Sequence, residues 1–220
     1  TDVVAVARAF TGWTMQPREG SGFRFVPALH DRGAKTVLGH TLPAGRGIED
    51  GEAVLDLLAA HPSTARHVAR MLATRFVSDS PPETLVERAA ARFRATGGDL
   101  REVVRVIVTS PEFFAPDTAG AKLKTPLEFV ASALRATGAD VRSARPLART
   151  LRELGMPLYF CQLPTGYDDT AVTWAAAGAL VGRVNFAADL AAGRVPGLRV
   201  SPAGTTDAAA SIGAPAFQYR

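Results

Sequence analysis

Cysteine occurs once in this chain, at Cys161. That excludes an intramolecular disulfide and any zinc site built on paired cysteines. The apolar neighbours Tyr159 and Phe160 predict a buried, inert thiol rather than a nucleophile. Lysine is nearly as scarce: Lys35, Lys122 and Lys124 are the only three among 220 residues, so almost every cation is arginine. The net charge of +4 and the isoelectric point near 9.7 invite a nucleic-acid partner. The arginines, however, are spread over many predicted helices and interleaved with acids. Without a clustered basic stripe, nucleic-acid binding is not expected. No apolar run approaches the roughly 20 residues a membrane span needs, so no span is expected either. His-Glu-x-x-His, Gly-x-Gly-x-x-Gly, a phosphate loop and Gly-x-Ser-x-Gly are all missing. Zincins, ordinary nucleotide enzymes and α/β-hydrolases are thereby disfavoured. No signal peptide is visible, and the chain opens on Thr1 rather than Met. That predicts a processed or truncated piece.

What the sequence does have is helix punctuation. The apolar fraction of 47% is ordinary. Residues 61–114 read as three helices in a row. The first starts at Pro62 or Ser63 and sets Ala65, Val68, Ala69, Leu72 and Phe76 on one face. Ser80, with Glu83 as capping-box partner, opens the second, which buries Leu85, Val86, Ala89 and Phe93 and stops at Gly97-Gly98. Asp99 caps the third, with Leu100, Val103, Val104, Ile107 and Val108 inward.

Around this block the pattern predicts a short first helix ending at Gly12 and a hairpin of Phe23–Val26 with Lys35–Leu38. Further helices follow from about Glu49 to Ala60, from Pro126 to Gly138 and from Ser143 to Leu154. A long one runs from Thr170 to Ala192 and buries Trp174, Leu180, Val181, Val184 and Phe186. The fold expected is mostly α: a bundle-like orthogonal array of helices with one small β hairpin near the N-terminus. Residues 1–195 are expected to form a single helical domain, with a Pro- and Gly-rich tail over 196–220 packing back on it.

Seven stretches taken together carry a family resemblance: DVVAVARAFTGWT at 2–14, HDRGAKTVLG at 30–39, HPSTARHVARMLATRFV at 61–77, GGDLREVVRVIVTSPEFF at 97–114, KLKTPLEFVASALRATG at 122–138, PTGYDD at 164–169 and ALVGRVNFAADL at 179–190. In this order, with the ending IGAPAFQYR, the chain resembles the bacterial domain-of-unknown-function family 1800, DUF1800, over nearly its whole length. The resemblance implies a member cut to its C-terminal half. The other half would carry a Trp-His-x-His-Phe-like and an Asn-Glu-Asn-x-Ala-Arg-Glu-like segment. It also implies an exported bacterial protein, at the periplasm or cell surface, often encoded beside a sulfatase-like partner. It implies no established activity. The missing half, or another chain, is expected to cover Val3, Phe10 and Trp13.

One polar cluster stands out: His30, Asp31 and Lys35 on the predicted hairpin loop. Histidine can serve as acid, base or metal ligand, the aspartate can orient it, and the lysine can hold an anionic group. The same three could equally cap the turn and bridge it. Trp13 and Tyr167 are candidates for an aromatic platform under a sugar or other polymer, or else ordinary packing residues. Asp168 and Asp169 are expected to cap the last helix, His61 to help cap its own, and His40 and His67 to be solvated. Two ligands on one loop do not make a metal site, so metal and cofactor stay unassigned, although the family's missing histidines could complete one with His30.

Two functions are compatible with these features. One is an auxiliary or binding helical domain in cell-envelope or extracellular polymer handling. The other is a hydrolase or lyase on an extracellular polymer, using His30, Asp31 and Lys35, with metal assistance as an option.

Overall fold

The computed structural model describes residues 1–16, 22–200 and 208–220. Among the described residues helix dominates, and the strands form only small antiparallel pairs. The chain divides into two compact units, one of residues 1–68 with 90–100 and one of residues 69–89 with 101–220.

The smaller unit begins with α1 (Asp2–Ala9), which ends where Gly12 turns at φ 84°. Two hairpins follow, not one. Strand β1 (Trp13–Gln16) pairs with β2 (Gly22–Phe25), and β3 (Lys35–Val37) pairs with β4 (His40–Leu42). The expected pairing of Phe23–Val26 with Lys35–Leu38 is therefore corrected: each strand takes its sequence neighbour. The second hairpin closes through Leu38-Gly39, both at positive φ, the two-residue turn whose twist suits a hairpin. Leu38 pays for that conformation with help from Asp2, whose carboxylate accepts the Leu38 N–H. Helix α2 (Glu49–Ala60) turns Asp50, Gly51 and Val54 inward. With Ala5, Ala9, Val37 and Leu42, Val54 forms the core of this unit.

Helices α3 (Pro62–Phe76), α4 (Glu83–Ala95) and α5 (Leu100–Val108) follow the predicted punctuation. His61 accepts the Ser63 N–H at 3.1 Å and so caps α3. Ser80 does not cap α4: the first turn closes on the Pro82 carbonyl, and Glu83 pairs with Arg70 instead. Leu100 faces water, since α5 buries only Val103 and Ile107.

The larger unit continues with α6 (Pro126–Thr137), β5 (Asp140–Val141), α7 (Arg145–Glu153), α8 (Ala171–Trp174), α9 (Ala177–Ala191), β6 (Leu198–Arg199) and α10 (Ala208–Gly213). Thr125 and Glu128 form a capping box on α6, and Gly138 ends it in the left-handed conformation. Strand β5 pairs with β6. The core gathers Phe129, Val130 and Ala133 of α6, Leu151 and Leu154, Phe186, Ala187 and Leu190 of α9, then Val195, Ala208 and Ile212. Residues beyond 195 thus complete this core.

The long helix expected over Thr170–Ala192 is broken between Trp174 and Ala177, and its inward face is only in part the expected one: Trp174 and Phe186 are buried as expected, the other three are not. Leu180, Val181 and Val184 are exposed, while Arg183 is fully buried. Its guanidinium donates to the Lys124 carbonyl at 2.7 Å and the Gln218 side chain at 3.3 Å, and lies over the Phe129 ring. Those polar partners turn α9 so that the arginine, and not the valines beside it, faces inward. Tyr159 and Phe160 are exposed too, so the thiol of Cys161 is only half-buried and lies near the Leu163 carbonyl.

Candidate functional site

His30, Asp31 and Lys35 do come together, but around a residue the sequence reading passed over. Asp50, in the first turn of α2, is completely buried. Lys35 Nζ lies 2.7 Å from its Oδ2, Arg46 Nε lies 3.0 Å from Oδ1, and His30 Nε2 stands 3.4 Å from Oδ2. The Lys35 ammonium also donates to the carbonyls of Asp31 and Gly33, so all three of its protons have acceptors. His30 donates from Nδ1 to the Thr11 carbonyl at 2.8 Å, and its ring meets Phe25 edge-on.

Asp31 points the other way. Arg8 grips its carboxylate with two bonds of 2.7 and 3.1 Å, and the Gly33 N–H adds a third. The Arg8 guanidinium, then that N–H, hold the Asp31 carboxyl far below the usual carboxylate range. Thr11 ties the two halves. Its hydroxyl donates to the Arg8 carbonyl and accepts the Asp31 N–H, while its own carbonyl takes His30.

Exposure decides what this arrangement can do. The side chains of His30, Lys35 and Asp50 are 1%, 0% and 1% accessible. Asp31, Arg8 and Arg46, at 35%, 38% and 31%, meet solvent; the first two are paired with each other, and Arg46 with Asp50. The charges of Asp50 and Asp31 are matched by Lys35, Arg46 and Arg8 within the cluster.

The other candidates sit elsewhere. The Trp13 ring lies on the backbone of α2: a methyl group at Gly51 would stand 2.4 Å from it. Phe10 and Phe23 meet its ring edge-on at 5.0 and 4.8 Å. Val3 is exposed, whereas Phe10 is half-buried. Tyr167 belongs to the larger unit, where its hydroxyl donates to the Pro157 carbonyl and its ring tilts against Trp174.

Asp168 and Asp169 point apart. Asp168 takes the Thr173 hydroxyl and Asp169 takes Arg75, so neither caps the helix after them. The Ala171 N–H is capped by Asp79 instead. His40 and His67 are exposed, His40 from strand β4 rather than a loop.

A second polar network, unforeseen, binds the larger unit. Lys122 is buried between Asp79 and the Asp169 carbonyl. Arg75 bridges Glu128 and Asp169, and Arg220 pairs with Glu128 at 3.2 Å. Burial alone would raise the Glu128 carboxyl. The Thr125 N–H, Arg220 and Arg75 outweigh it and hold the group below its ordinary value. Asp79 behaves alike: burial is overcome by the Ala171 N–H and Lys122. Three carboxylates here meet three cations.

Asp50 could have been found from sequence. It stands four residues before Val54 and seven before Leu57, on the inward stripe of α2. The network of Lys122 had no such signal, because its members are up to 145 positions apart.

Among the described residues no group of three His, Cys, Asp or Glu side chains could hold a metal ion, and no helix is long and apolar enough to cross a membrane. No curated protein and no solved structure matches the chain. A protein-family model does match, described as protein of unknown function (DUF1800), over residues 1–218; the chain belongs to that family.

Proposed function

We propose that the chain is an auxiliary, binding helical domain of an exported bacterial protein that handles envelope or extracellular polymer together with a partner protein. The observation that carries this reading is the closure of the His30 cluster. The side chains of His30, Lys35 and Asp50 are inaccessible, and the exposed Asp31, Arg8 and Arg46 are held in ion pairs, so the cluster serves as a clamp on the fold and offers no free group to a substrate. Large apolar side chains left in water, among them Val3, Met15 and Phe23 in one unit and Tyr159, Phe160, Leu163 and Val172 in the other, suit a protein that docks on something else. The sulfatase-like protein that the family resemblance nominates is the partner to test first.

The hydrolase or lyase reading draws on the convergence of His30 and Lys35 on Asp50. It requires the cluster to open, with Asp31 released from Arg8.

Co-sedimentation with isolated envelope polysaccharide, with assay of new reducing and unsaturated ends, separates the two. The binding reading expects protein in the pellet and no new ends. New ends that vanish in His30→Gln would overturn it in favour of the enzyme.

A further inference from the structure

Gly182 of α9 faces Leu154, the residue that ends α7; a methyl group at Gly182 would stand 2.9 Å from the leucine Cδ2. Alongside that contact a cavity of about 510 Å³ opens between the two helices and reaches the 194–196 segment. Leu154, Phe186 and Val195 are buried and give it an apolar floor. Three exposed arginines line its rim: Arg145, Arg149 and Arg194.

These arginines differ in their partners. Arg194 is taken by Asp189, with bonds of 3.0 and 2.6 Å to Oδ1. Arg145 and Arg149 form no hydrogen bond or ion pair with any described residue, and Glu153, the other carboxylate at the cavity, pairs with neither. They stand four residues apart on one face of α7, where like charges repel. Elsewhere Arg8, Arg46, Arg70, Arg75 and Arg88 each have a carboxylate within 3.0 Å. Two adjacent, uncompensated guanidinium groups over an apolar cavity are complementary to an oxyanion attached to an uncharged body.

We propose that this groove binds an anionic organic molecule. Its phosphate, sulfate or carboxylate group is held by Arg145 and Arg149, and its uncharged part lies over Phe186 and Val195. The guanidinium fork matches such oxyanions with paired hydrogen bonds. Asn185, exposed on the α9 wall, offers the body an amide. The site shares no residue with the His30 cluster and goes beyond the reading of that cluster as a clamp.

The test is calorimetric titration of the full chain with phenyl phosphate, phenyl sulfate, benzoate and inorganic phosphate. At least one of the three organic anions should saturate at one per chain and bind about tenfold or more tightly than inorganic phosphate; which of them does so names the head group. The double variant Arg145→Gln, Arg149→Gln should lose about tenfold or more in affinity, the scale of two charge-assisted hydrogen bonds. Its melting curve should be unchanged, because both side chains are exposed. Should the double variant melt early, Asn185→Asp supplies the second arm: a carboxylate on the groove wall should weaken the same probe. Saturation by none of the probes, undiminished binding by these variants, or equal affinity for inorganic phosphate would overturn the proposal.

Discussion

Lys35 shows how much one side chain can hold. It is one of three lysines, and its ammonium is walled in by Asp50 and two carbonyls. Lys35→Met removes the nearest cation from a fully buried carboxylate. The expected loss is about 3–5 kcal/mol, the scale of a buried pair broken on one side. Urea denaturation measures it, and the double variant Lys35→Met, Asp50→Leu should recover more than half, since the one charge then left without its partner, Arg46, reaches solvent. A double variant as unstable as the single one would show that the pair is not what holds this cluster. Gly51 makes the opposite kind of demand. Its missing side chain is the space the Trp13 indole occupies. Gly51→Ala should therefore cost about 1–3 kcal/mol by overpacking and displace the ring. A lowered melting temperature and a changed tryptophan emission would register both effects.

At the scale of the element, α9 is the instructive case. Its sequence places Leu180, Val181 and Val184 within one turn, and apolarity alone turns that side inward. The structure buries Arg183 among them, because a carbonyl from before α6 and the amide of Gln218 are waiting for it. Arg183→Met should destabilise the larger unit by roughly 3 kcal/mol, through lost packing and an orphaned carbonyl. Thermal denaturation checks this, and no change in the midpoint would mean the arginine is merely accommodated. The helices whose ends are written in local chemistry were legible in sequence: Pro126, Gly97-Gly98 and Gly138 all stand where their residue types predict. The strands at 22–25 and 35–37 were legible as strands but not as partners, since alternation marks a strand without saying which edge it joins. The cluster at His30 was half legible. Its three polar residues announced themselves, whereas Asp50 was masked by its place among three acids in the first turn of α2.

For the whole molecule, the two polar clusters match buried or half-buried carboxylates with cations, and acid should open both. Asp31, Asp79 and Glu128 all have folded values held below the ordinary carboxylate range. Depressed carboxylates lend stability above their unfolded value, near 4, and that stability is lost as pH falls towards their folded values. The midpoint of thermal unfolding should thus be insensitive between about pH 6 and 8 and fall steeply below about pH 4. Glu128→Gln should lower the midpoint at pH 7 and flatten the acid limb; an unchanged limb would assign the acid sensitivity elsewhere.

The pairing of the chain's last residues has a different kind of consequence. Lys124 binds the Gln218 backbone, Lys122 and Arg220 exchange hydrogen bonds, and Leu123 faces Tyr219 in a single bridge. Nearly a hundred residues separate the two segments, and closing so long a loop slows folding. A chain emerging from the ribosome makes residues 122–124 early and must wait for 218–220 before the edge beside them is covered. The larger unit therefore completes itself only once residues 218–220 have been made, and until then the nascent protein remains a thread that can still be pulled.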